Sequence, residues 1–219
     1  NAAIEAMRYL RVKLIFTCVP DGVVEKIYPS NELPGVRTVG VLTGYTSPRL
    51  LANGKPLPLA DRSIDVGYRA RKIPAWIGEL GQEKWRISDR FKIDAKRFDL
   101  QCDLSTSEED RLYGEDWEQF LRSCRAVLGT ESGASVIDFT GEIKQRVEAE
   151  ERRRPDVTFE ELREKYFKDL DGRIQISVIS PRCFEAAAHG TLMILYEGDY
   201  SGRLQPWRGY LPLKKDLSN

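Results

Sequence analysis

Apolar and polar positions alternate along this chain in two periods, and the switches between them mark its elements. Helical spacing over about 1–10 gives way to a short apolar run at 12–18; helical spacing returns at about 20–28, and Pro34-Gly35 leads into a second apolar run at 37–42. A strand, a helix and a strand in that order form a βαβ unit, whose strands pair in parallel. Residues 47–62 hold Pro48, Pro56, Pro58 and the Asn53-Gly54 turn signal, and break periodicity for longer than most connections do. That predicts an interdomain linker. Beyond it, the pattern predicts a strand at 64–71, a long helix at about 76–96, a strand at 98–102, an amphipathic helix at 115–124 and a strand at 125–128. Trp117, Phe120, Leu121 and Cys124 recur at helical spacing and should pack inward, the alternative for Trp117 being a stack on a nucleotide base. Residues 138–172 interrupt the alternation. Their mixed charges, around Glu148-Ala-Glu-Glu-Arg-Arg-Arg154, and their helically spaced Phe159, Leu162, Tyr166 and Phe167 predict a helical insertion with a solvated face, or an acceptor-recognition lid. The whole pattern predicts an α/β protein with Rossmann-like parallel sheets. Its organisation reads as the end of one Rossmann-like domain at 1–46, a linker at 47–62, and a second Rossmann-like domain at 63–219 carrying the insertion.

The run Ile179-Ser-Pro-Arg-Cys-Phe-Glu-Ala-Ala-Ala-His-Gly-Thr-Leu-Met-Ile-Leu195 combines a capped helix with a buried strand. Ser180 suits the N-cap, Pro181 the first helical position and Gly190 the stop. Glu185 is the one carboxylate in a helix otherwise made of Cys183, Phe184, Ala186, Ala187 and Ala188, so it requires a partner or an open crevice. A ligand hydroxyl, Arg182 at i−3 and the helix macrodipole are the candidates. His189, in the last turn before Gly190, reads as structural, an imidazolium complementing the C-terminal dipole or capping carbonyls.

Three further segments carry chemistry. Gly67-Tyr-Arg-Ala-Arg-Lys72 places Arg69, Arg71 and Lys72 just beyond a strand's carboxyl end, where ligands collect in open α/β sheets and where arginine can fork two phosphate oxygens. Surface cations flanking a turn are the plainer alternative. Gly129-Thr-Glu-Ser-Gly-Ala-Ser-Val136 is a small-residue loop, with Glu131, Ser132 and Gly133, that allows close approach of a sugar or diphosphate, or is simply a turn before a helix. Glu197-Gly-Asp-Tyr-Ser-Gly202 follows the strand at 192–196, and its amides suit an anion. Glu197 and Asp199 offer a metal as the alternative.

The string Ser-Pro-Arg-x-Phe-Glu-Ala-x-Ala-x-Gly-Thr at 180–191, followed by a hydrophobic strand, resembles the nucleotide-sugar-binding helix of GT-B glycosyltransferases, in particular bacterial spore-maturation-type proteins. The resemblance implies that Glu185 contacts the donor ribose, with Arg182 beside it. The 67–71 turn is similar to the family's Gly-x-x-Gly-Arg turn, with Ala70 in place of the second glycine, and so implies Arg71 and Lys72 on the diphosphate. It further implies that Glu131 is the catalytic carboxylate holding donor hydroxyls beside Ser132 and Gly133, and that Gly198, Tyr200, Ser201 and Gly202 bracket the donor phosphate. The family's Glu-x7-Glu spacing is broken, because Ser177 stands where the first glutamate belongs and the insertion separates Glu131 from Glu185. The resemblance covers nearly the whole chain, as an incomplete N-terminal domain plus the donor-binding domain; Asn1 begins inside a helical pattern, and both ends read as truncated. The implied activity is sugar transfer from a nucleotide-diphosphate donor to an acceptor hydroxyl without metal or other cofactor. A non-catalytic nucleotide-sugar-binding or protein-interaction module is the alternative.

Composition narrows the partners. Lys+Arg and Asp+Glu both number 34, so no global field attracts nucleic acid or an anionic membrane. The four cysteines, Cys18, Cys102, Cys124 and Cys183, lack metal-ligand spacing, and a single histidine excludes most zinc and triad schemes. No Gly-x-Gly-x-x-Gly follows a strand, which disfavours a dinucleotide oxidoreductase. No apolar run reaches the roughly 18–20 residues of a membrane-spanning helix, and a cytoplasmic setting fits best.

Overall fold

The structure, a computed structural model, describes residues 2–52 and 56–219. In chain order the elements are α1 (Ala2–Tyr9), β1 (Leu14–Thr17), α2 (Asp21–Ile27), β2 (Arg37–Gly40), α3 (Pro48–Ala52), β3 (Ile64–Arg69), α4 (Glu79–Ala95), β4 (Cys102–Ser105) and α5 (Gly114–Ser123). They continue with β5 (Cys124–Gly129), β6 (Ser132–Ala134), α6 (Glu142–Arg153), α7 (Phe159–Tyr166), β7 (Ile176–Val178), α8 (Pro181–Ala188), β8 (Leu192–Tyr196) and β9 (Leu211–Leu213). No helix among the described residues is long and apolar enough to cross a membrane.

The chain forms two compact units, each assembled from three segments: Asn1–Leu42, Pro74–Gly81 and Ser132–Val178 in one, Thr43–Ile73, Gln82–Glu131 and Ile179–Asn219 in the other. The segment expected as a linker, 47–62, is part of the second unit and carries α3 and a 3-10 turn at Leu59–Asp61; its Asn53-Gly54 signal lies outside the described residues. The expected insertion, 138–172, belongs to the first unit.

In the first unit β1 and β2 pair in parallel, from Leu14↔Arg37 to Thr17↔Gly40, as the βαβ rhythm predicts. β6 and β7 pair antiparallel, and Gly133, at φ 138°, permits it, since a Cβ there would run into the Ile176 carbonyl oxygen. Ala75, Val136, Val147, Leu162 and Phe167 form the core beneath α6 and α7. The mixed charges of this segment are not all solvated. Glu150 is buried, bonded by Lys165, Tyr166 and Arg153, and these partners hold its carboxyl at about 2.

The second unit is a five-stranded, all-parallel sheet in the order β4-β3-β5-β8-β9. Counted within the unit, that is the doubly wound order 2-1-3-4-5, whose direction reverses between β3 and β5. Each sheet face has its own core: Phe120, Leu121, Ile179, Cys183 and Met193 on the side of α5 and α8, and Tyr68, Ile87, Leu104, Tyr196 and Leu213 on the other. The strand expected at 98–102 begins later. Residues Lys96–Phe98 are a 3-10 turn, Asp99 turns left-handed at φ 53°, and only then does β4 begin. Gly67, expected at a turn, lies inside β3, where α5 crosses so closely that a Cβ would strike Cys124 Sγ and come within 2.8 Å of Phe120 Cζ. Gly67→Ala should therefore lose about 1–3 kcal/mol of stability by overpacking, read as a lowered urea midpoint at unchanged slope.

One buried cation ties this unit together. The Arg62 side chain donates to Leu57 O (3.0 Å), Cys124 O (2.7 Å), Thr191 Oγ1 (2.9 Å) and His189 O (2.9 Å), and the residue is only 2% exposed.

Candidate functional site

β3 and β5 lie side by side, with Val66 opposite Ala126 and Gly67 opposite Val127, at the point where the strand order reverses. A crevice lies at their carboxyl ends around a small cavity of about 20 Å³, lined by Tyr68, Lys84, Gly129, Thr130, Ser180 and Arg182 together with the apolar Val127, Cys183, Met193 and Leu195. Each wall has a local cause. α4 places Lys84 there because Leu80, Lys84, Ile87 and Phe91 share one helical stripe and Ile87 is fully buried. Tyr68 O–H donates to Lys84 O at 2.8 Å and pins α4 to β3. α8 enters with Pro181 at its first turn. Ser180 is its N-cap as expected, although the side chain makes no capping bond.

The electrostatics favour an anion. Burial, then Arg182, then Arg71, pull the Lys84 ammonium down to about 8, so the folded protein holds a partly desolvated cation beside two others. Arg182 lies with its guanidinium 5.7 Å from the Tyr68 ring centroid, and burial pushes the Tyr68 hydroxyl up. Converging cations, the N-terminal amides of α8 and the small residues Gly129 and Thr130 suit phosphate oxygens.

The predicted site residues divide. Arg182 lines the crevice. Arg71 is exposed just beyond β3, and Lys72 is exposed with Nζ 5.3 Å from the Trp85 ring centroid. Arg69 is committed elsewhere: it pairs with Asp103 at 2.8 Å and lies 4.4 Å over the Phe120 ring. Glu185 finds a protein partner, accepting a 2.8 Å hydrogen bond from Trp117 Nε1, while Trp117 stacks on Phe120 at 5.7 Å. Glu131 accepts the Tyr200 amide at 2.8 Å, and burial leads the effects that raise its carboxyl. Gly198, Tyr200, Ser201 and Gly202 form the loop after β8, but the Tyr200 side chain is wholly buried, donating to Tyr196 O at 2.6 Å. Ser132 and Gly133 belong to β6, which pairs antiparallel with β7 in the first unit. Asp199 caps Gly202 N–H, and no group of three or more His, Cys, Asp or Glu among the described residues is arranged to hold a metal.

Lys84 is the residue that sequence reasoning missed. Its signal was a lysine inside the apolar stripe 80-84-87-91, where a charge needs a reason. A larger groove of about 750 Å³, edged by Arg49, Glu115, Glu118, Gln119 and Arg122, flanks α5, which feeds the amino end of β5, and carries charges of both signs.

His189 is not the imidazolium expected at the end of α8. It is 4% exposed, Nε2 has no hydrogen-bond partner, and burial first of all pushes its imidazole down, so it is a neutral core side chain; the cation at the α8 C-terminus is Arg62. A depressed folded value means that His189 favours the folded state fully above the ordinary histidine range near 6.5 and loses that contribution as pH falls below it. Urea unfolding at pH 7.5 and 5.5 should therefore show a smaller acid loss in His189→Gln than in wild type, by on the order of 1 kcal/mol. Equal losses would place the titration elsewhere.

No family model matches the chain, and neither a curated protein nor a solved structure matches it.

Proposed function

We propose that the second unit binds the diphosphate of a nucleotide-sugar donor and that the protein is a metal-independent, GT-B type glycosyltransferase of the bacterial spore-maturation-like kind, acting in the cytoplasm on an acceptor hydroxyl. One observation carries the reading: Lys84 and Arg182 meet at the switch point of a 2-1-3-4-5 parallel sheet, beside the N-terminus of α8. Departure of a nucleoside diphosphate builds negative charge on its oxygens, and fixed cations with backbone amides stabilise it. Arg71 and Lys72, exposed after β3, supply further positive charge as the ligand approaches.

A second reading, a nucleotide-sugar-binding module without catalysis, is favoured by the engagement of both expected acids within the protein, Glu131 with the Tyr200 amide and Glu185 with Trp117. Calorimetry with UDP, GDP and pyrophosphate in excess EDTA tests the shared premise. Binding should survive chelation and weaken in Arg182→Ala. No binding by any of the three would overturn both readings. Release of nucleoside diphosphate from a panel of nucleotide sugars then supports transfer, whereas binding without turnover supports the module.

A further inference from the structure

We propose that Glu131 is a positioning residue whose carboxylate tethers the 198–202 loop in a left-handed bend that joins the end of β5 to the start of α8, the two elements flanking the crevice. The ligand arm of its test rests on the reading above; the tether itself does not.

The bend is costly on its own. Tyr200, Ser201 and Gly202 have φ values of 50°, 56° and 65°, and only the last is glycine. A left-handed residue with a Cβ is sterically unfavourable, so two in succession persist only where neighbours hold them. Four bonds do so. Glu131 Oε1 accepts the Tyr200 amide at 2.8 Å, and Tyr200 O–H donates to Tyr196 O at 2.6 Å. Ser201 Oγ accepts the Ile179 amide at 3.1 Å, and Asp199 Oδ2 accepts the Gly202 amide at 3.1 Å. The Tyr196 and Asp199 bonds stay within β8 and its own loop, so they shape the bend without placing it. The Glu131 and Ser201 bonds reach the elements beside the crevice, one to the residue two beyond β5 and the other to the residue before Ser180, while Tyr210 O–H donates to Gly198 O at 3.4 Å from the side of β9. Gly198 completes the fit, since a Cβ there would lie 2.7 Å from Glu131 Oε2.

The tether needs an acceptor, not a charge. Asp199 and Glu83 face the Glu131 carboxyl with like charge and Lys215 with opposite charge, so an amide at this position keeps the bond and removes the repulsion. This separates positioning from acid chemistry or direct ligand contact.

Amide exchange at Tyr200 and pyrophosphate isotherms, measured on wild type, Glu131→Gln and Glu131→Ala, test the proposal. Glu131→Gln should exchange within about threefold of wild type and Glu131→Ala about tenfold or more faster, the size expected for leaving the Tyr200 amide without its acceptor. Pyrophosphate affinity should follow the same order, with the rescue by glutamine marking a positioning role. Unchanged exchange in Glu131→Ala overturns the proposal. So does equal loss of pyrophosphate in both variants while Glu131→Gln keeps its protection, because that puts the carboxylate on the ligand itself. Should Glu131→Ala fail to fold, Glu131→Met, which keeps the bulk and removes the acceptor, takes its place, with the same rise in exchange expected and its absence overturning the tether. If wild type binds neither pyrophosphate nor UDP, the functional reading fails while exchange still decides the tether.

Discussion

Lys84→Met should weaken pyrophosphate or nucleoside-diphosphate binding by about a hundredfold and, without ligand, make the protein more stable. The two effects have one origin. A lysine whose folded value sits at about 8 instead of 10.5 carries its charge at a penalty in the folded state, fully present below about pH 8 and fading as pH rises toward 10.5. Methionine keeps the stem that packs in the apolar stripe and removes the penalty, for a gain on the order of 2 kcal/mol near pH 7. The ligand-bound protein loses instead, because a charge-assisted phosphate bond in a half-buried crevice is worth about 1.5–3 kcal/mol. Wild-type affinity should decline above pH 8, with proton uptake on binding detectable by calorimetry in buffers of different ionisation enthalpy. A Lys84→Met protein that binds pyrophosphate as wild type does, or that is less stable than wild type at pH 7, would remove Lys84 from the site.

Lys84 also shows where legibility in the sequence stops. Periodicity located β8 at its observed bounds and placed α5 with Phe120 and Leu121 inward, because one buried face repeats at short range. The Ser-Pro start and Gly190 stop of α8 were readable because capping chemistry is local, and Gly190 does turn left-handed at φ 61°. Pairing across long separations was not readable. Residues 132–134 read as part of a small-residue loop, yet they form a strand whose partner lies at 176–178, and Gly133 serves that pairing. Glu185 stood out correctly as a carboxylate needing a partner, but Trp117 is distant in sequence and its indole N–H is invisible to spacing arguments. The crevice itself depends on strand order, which places β5 beside β3 and sends β4 to the edge.

Arg62→Met should destabilise the protein by about 3–5 kcal/mol, although replacing a buried charge with an apolar side chain is often neutral or favourable. The usual gain comes from removing a pair of charges together. Here the four acceptors described for Arg62 are three backbone carbonyls and a hydroxyl, and these stay behind when the arginine goes. An orphaned buried acceptor costs about 1–3 kcal/mol, and several outweigh the relief of desolvating a guanidinium, the more weakly hydrated of the basic side chains. Thr191 keeps its own donation to Leu121 O at 2.8 Å, so its hydroxyl is the least exposed to the change. Cys124 O and His189 O are the most exposed, one at the first residue of β5 and the other at the C-cap of α8. Arg62→Lys keeps the charge but replaces a planar fork with a single point donor, so it should fall between wild type and Arg62→Met. Guanidinium denaturation with unchanged slope measures all three; an Arg62→Met midpoint equivalent to less than about 1 kcal/mol of loss would mean that water or repacking satisfies those carbonyls and that Arg62 does not hold α8 to β5.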